Sequence, residues 1–102
     1  MSETPAPQAP ASNASELDQL EHEIDGLTAR ATAVNNSLDH LQQEQARQGL
    51  GLRGDMAAHQ QSMKTSLAKA QDALEKGDAA RARRFSEQAQ KDVEVLEQFL
   101  GR

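Results

Sequence analysis

The sequence predicts an all-α protein: a long heptad helix packed with an antiparallel helical hairpin, as a coiled-coil-like three-helix bundle. Three observations carry this reading. Leu17, Leu20, Ile24, Leu27, Ala31, Val34, Leu38 and Leu41 step by three and four residues without a miss, the spacing that aligns side chains along one helix face. Two further three-and-four patterns follow, from Met56 to Leu74 and from Ala82 to Leu100. Glycines mark the boundaries, with Gly49, Gly51 and Gly54 between the first two patterns and Gly77 between the last two.

Residues 1–14, MSETPAPQAPASNA, contain every proline of the chain. Proline removes backbone donors, and this stretch offers little to bury, so a disordered Pro/Ala/Ser tail is expected. A proline-rich recognition ligand is the alternative, but no basic residue flanks it. The bundle domain is expected over residues 15–102, with helices at about 16–48, 56–76 and 79–100. Ser15 is placed to cap the first helix, with Asp18 three residues on as a variant of the capping box. Glu16 and Asp18 suit the positive end of its dipole.

The seam of that helix is only two positions wide in seven, narrower than the apolar face of most globular helices. The flanks that would meet in a parallel homodimer are Glu23 with Thr28, Arg30 with Asn35, and Ser37 with Gln42. None is an ion pair, so flanking charge does not select a parallel zipper, and antiparallel or intramolecular packing stays open. Past Leu41 the seam positions become Gln45 and Gln48, and the stripe fades before the glycine-rich break. Asp55 is a natural cap for the second helix, whose pattern is Met56, Gln60, Met63, Leu67, Ala70 and Leu74. Gly77 and Asp78 form a two-residue link that ends one helix and caps the next. Ala82, Phe85, Ala89, Val93, Leu96 and Leu100 line the third helix, with Phe99 beside them.

So short a link makes the last two helices antiparallel neighbours. At 1.5 Å per residue the first helix would be roughly 50 Å long and the others roughly 30 Å each. The seam around Leu17, Leu20 and Ile24 should then overhang its shorter companions, and an exposed apolar stripe must find another surface. In an up-down-up layout Arg81, Arg83 and Arg84 could face Glu21, Glu23 and Asp25, although a solvated basic face, with little energy in each pair, is the favoured reading.

Composition points the same way. The chain has 102 residues, 36% hydrophobic, with Phe85 and Phe99 its only aromatics. A core of Leu, Ala, Met and Val this small leans on disulfides, metals or association for added stability. There is no cysteine, which excludes disulfides and thiolate zinc sites and leaves association. A net charge of −5 argues against nucleic acid, which needs a basic surface. No apolar run approaches the roughly 20 residues that cross a bilayer, so no membrane insertion is expected. Amphipathic adsorption is disfavoured by acidic flanks without aromatics. The amino terminus has neither the basic start nor the apolar stretch of a secretory signal. A cytoplasmic location is expected, or a periplasmic domain of a longer anchored protein.

Chemistry is sparse. Arg53-Gly54-Asp55 spells a tripeptide read by integrins, but helix break and cap already account for Gly54 and Asp55. His22, His40 and His59 lie off the seams, and none follows a Glu three residues earlier as in carboxylate-bundle metal sites. They are expected as solvated surface histidines, and no metal or cofactor is expected. Serines and carboxylates fall on helix exteriors, caps or the tail rather than in a desolvated pocket, so no catalytic residue is assigned.

From Ser66 onward, Ala70, Ala73, Leu74, Gly77, Asp78, Ala82, Phe85 and Ala89 resemble the helical hairpins of tetratricopeptide-like and bacterial envelope helical proteins. The resemblance covers about a third of the chain and implies two closely approaching helices joined at Gly-Asp. The Ala82–Phe85–Ala89 spacing departs from the tetratricopeptide pattern, the closing proline is missing, and there is no second copy, so no peptide-binding residue carries over. The expectation is a non-catalytic structural or interaction module. It would self-associate as a dimer or tetramer through the heptad helix, or dock a helix of another protein; a ligand- or metal-binding helical bundle is the third and least favoured reading.

Overall fold

The computed structural model describes residues 5–47, 49 and 54–101, with side chains from residue 14 onward. Three helices follow one another: α1 (Pro5–Arg47), α2 (Gly54–Glu75) and α3 (Ala79–Phe99). They pack on one another as a bundle, and no strand occurs among the described residues.

Sequence chemistry accounts for the α2–α3 corner in detail. Gly77 has φ +74°, a left-handed conformation in which a Cβ is strained. The Asp78 amide donates to the Ala73 carbonyl at 2.9 Å, and the Gly77 amide donates to the Leu74 carbonyl at 3.1 Å. This nested pair of bonds is the Schellman termination of a helix. The Asp78 carboxylate then accepts from the Arg81 amide, satisfying one of the open donors of α3. At the other corner, Asp55 lies in the first turn of α2, its carboxylate accepting from the Met56 amide at 3.0 Å. Arg53 lies outside the described residues.

Cross-helix pairs set the register. Arg83 meets Glu16, and Arg30 meets Glu97 through two bonds of 2.7 and 3.1 Å. Both pairs are 67 residues apart in sequence, so α3 runs parallel to α1. The bond to Glu97 raises the Arg30 pKa above its ordinary value, against the smaller opposing effect of burial. Between α1 and α2, Gln60 donates to Asn35 at 3.0 Å and Gln71 donates to Thr28 at 3.2 Å. Residue numbers rise on one helix as they fall on the other, so α2 is antiparallel to α1. The layout is up-down-up.

The core falls into two clusters. One gathers Leu27, Ala31, Val34 and Leu38 of α1 with Met56, Met63 and Leu67 of α2 and Ala89, Val93 and Leu96 of α3. The other, at the Gly77 end, sets Leu20 and Ile24 against Ala70, Ala73, Ala79 and Ala82. Alanines let α2 and α3 close tightly, and the larger α1 side chains fill the furrow between them.

Two expectations need correction here. First, the seam does not overhang. Leu20 and Ile24 are each 1% exposed, Leu27, Ala31, Val34 and Leu38 are buried, and only Leu17 and Leu41 at the seam's ends are half-buried. The reason is arithmetic: from Leu17 to Leu41 the seam spans roughly 36 Å, close to the roughly 33 Å of α2. The excess length of α1 falls beyond the seam's two ends. Second, α1 begins at Pro5, eleven residues ahead of the expected start at residue 16. Pro5 and Pro7 fall in the first turn, where amides have no intrahelical partner, whereas Pro10 lies a turn further in and forgoes one helical bond. The side chains of residues 5–13, within the stretch expected as a tail, lie outside the described residues, as do residues 1–4.

Candidate functional site

At the Gly77 end, an open groove of about 380 Å³ lies between α1 and α2. Leu17, Ile24 and Leu74 form its floor, and Asp18, Glu21, Asp25 and Glu75 form its rim. The first three carboxylates follow from helical geometry, because positions 18, 21 and 25 share one face of α1. Glu75 reaches the same opening from the last residue of α2. Among the described residues, none of the four carboxylates is in an ion pair. Leu17 and Leu74 pack against the core only in part and are half-buried. Such a groove can accept an apolar side chain on its floor while cations meet its rim.

On the opposite side of α2 lies a cluster of the opposite sign. The Phe85 ring has the Arg81 guanidinium 4.9 Å, the Arg84 guanidinium 5.2 Å and the Lys69 ammonium 5.3 Å from its centroid. These distances are within the range of cation–π attraction. Arg81 and Arg84 are exposed, as a solvated basic face implies, and stack on Phe85 rather than facing Glu21, Glu23 and Asp25. Only Arg83 reaches α1, and it pairs with Glu16.

Residues 50–99 match the family model described as a domain of unknown function (DUF1771). No curated protein and no solved structure matches the chain. The matched segment spans α2 and α3, the hairpin carrying Leu74, Glu75, Phe85 and its cations. The α1 side of the groove, with Leu17, Asp18, Glu21, Ile24 and Asp25, lies outside the match.

A second polar constellation joins α2 to α3. Asp92 is only 2% exposed, yet its carboxylate accepts from the Ser62 hydroxyl at 2.6 Å and the Gln88 amide at 3.4 Å, and lies 2.9 Å from His59 Nδ1. Burying a carboxylate is costly unless it is hydrogen-bonded, and here its partners come from both helices. Ser62 binds the carboxylate rather than the imidazole, so it lacks the serine–histidine contact of an activated nucleophile. The arrangement works as a staple between two helices. His59 was expected in solvent; its half-buried side chain is engaged by Asp92. His22 and His40 are exposed. No group of three or more His, Asp or Glu able to hold a metal occurs among the described residues, and no described helix is long and apolar enough to cross a membrane.

Of the residues expected to form an interaction surface, the structure gives the groove Leu17 and the inner edge of Ile24. Leu20, Leu27, Ala31, Val34 and Leu38 are committed to the core, and Leu41 sits at the other end of the seam. The rim carboxylates were legible only as an acidic flank. Their convergence with Leu74 and Glu75 depends on the register of α2 against α1.

Proposed function

We propose that the chain is a non-catalytic interaction module that docks a cationic, apolar-centred segment of a polypeptide in the α1/α2 groove. The observation that carries this is the groove itself, with an apolar floor and four rim carboxylates that have no cation in the described structure. A helix presenting one apolar face between lysines or arginines has the complementary pattern. Self-association through the heptad seam, the other expectation, would require the bundle to open, because one subunit already covers that seam. Either expected compartment, cytoplasm or periplasm, suits such a module.

The test is fluorescence anisotropy with a labelled helical peptide whose apolar face is leucine and whose other positions are lysine and arginine. Binding is expected for the wild-type chain. It should weaken at least about tenfold in a Glu21→Lys/Asp25→Lys variant, because reversed rim charges repel the peptide. A peptide with glutamate replacing its cations should not bind. Equal binding of both peptides, or no effect of the rim variant, would overturn the assignment.

A further inference from the structure

Resting on the groove reading, we propose that the occupant of the α1/α2 groove is a second copy of this chain, which inserts Phe85 and the cations around it. The two surfaces are counterparts in shape and sign. One is an apolar floor ringed by four carboxylates. The other is a half-buried aromatic ring ringed by three cations.

The cations around Phe85, namely Lys69, Arg81 and Arg84, have no ion-pair partner among the described residues, although the chain has 16 acidic residues to 11 basic ones. Arg81 sits in the first turn of α3, where the helix dipole disfavours positive charge and the one acidic group is the capping Asp78, whose carboxylate is engaged by the Arg81 amide. Three like charges gathered on one ring at the positive end of a helix are held there at an electrostatic cost. Cation–π attraction offsets only part of that. The rim of the groove is the mirror problem, with Asp18, Glu21, Asp25 and Glu75 clustered without cations. Joining the two relieves both.

Position allows it. The groove lies on the α1 side of α2 and the Phe85 cluster on the α3 side, both at the Gly77 end. One chain therefore offers both surfaces at once, and the contact is heterologous, groove to ring. A long polyanion is a poorer occupant of the cationic cluster, because the net charge of −5 repels an extended negative surface along its whole length. A second copy presents its negative charge locally, at the groove.

The test is the solution mass of the full chain by sedimentation equilibrium, with two charge-reversed variants. Glu21→Lys/Asp25→Lys spoils the groove, and Arg81→Glu/Arg84→Glu spoils the cationic cluster. All four positions are exposed, and circular dichroism confirms that both variants remain helical. The wild-type mass should rise above the 11.1 kDa of one chain as concentration rises. Each variant alone should associate at least about tenfold more weakly, and an equimolar mixture should regain association, since each variant retains the surface the other lacks. A wild-type chain monomeric at about 1 mM, variants that associate like wild type, or a mixture that stays monomeric would overturn the proposal. The cationic peptide separates the two readings. A monomeric chain that still binds the peptide loses the second copy but keeps the groove, whereas one that binds neither loses both.

Discussion

Asp92 shows most directly how one side chain links helices in this molecule. It is buried in the interface of α2 and α3, and its burial is tolerated because Ser62, His59 and Gln88 all face it. Removing it leaves the Ser62 hydroxyl without its acceptor and opens a gap beside Val93. Asp92→Ala is expected to destabilise the fold by about 1–3 kcal/mol, the usual cost of orphaning buried polar partners, read from urea denaturation. An unchanged midpoint would mean that water already serves those groups. This staple was not legible in the sequence. His59 and Asp92 are 33 residues apart, and only the hairpin register brings them together. By contrast, the exposed Arg30–Glu97 pair, for all its good geometry, contributes at most about 1 kcal/mol.

At the scale of elements, the helices and their order follow from spacing and punctuation. The three-and-four patterns of α2 and α3 are the buried faces seen in the fold, and Gly77-Asp78 forms the corner the residues imply. Gly77→Ala should cost about 1 kcal/mol, because φ +74° is strained for any residue with a Cβ. Thermal unfolding checks this, and a stability equal to wild type would mean the turn relaxes freely. What spacing could not supply was the extent of mutual coverage. Counting α1 as a whole against its companions suggested an exposed seam, whereas coverage depends on where the apolar residues stop. Leu17 and Leu41 bound a stretch that the hairpin can cover, and the surplus of α1 is polar or lies ahead of Ser15. Ile24, 1% exposed, is therefore a core residue whose edge also lines the groove floor. Ile24→Ala should destabilise the isolated chain by about 2–5 kcal/mol, as for other buried large-to-small changes. Weakened association with no loss of subunit stability would contradict this placement.

The whole molecule is a slender bundle with principal extents of 71 × 19 × 17 Å. Its interior is filled by alanine and aliphatic side chains, and its surface charge is segregated about one helix. The acidic groove and the cation-ringed Phe85 lie on opposite sides of α2, and neither has an ion-pair partner among the described residues. The acidic flank of α1 could be read from Asp18, Glu21 and Asp25 alone. The groove could not, because Leu74 and Glu75 are half a chain away. The same holds for the cationic cluster, where Lys69 joins Arg81 and Arg84 only across the antiparallel hairpin. The most direct test of the groove as a docking site is amide chemical-shift mapping of the ¹⁵N-labelled chain during titration with the cationic leucine-faced peptide. Saturable shifts centred on Leu17, Glu21, Asp25, Leu74 and Glu75 are expected. Shifts centred instead on the far end of the bundle, or none at all, would contradict it.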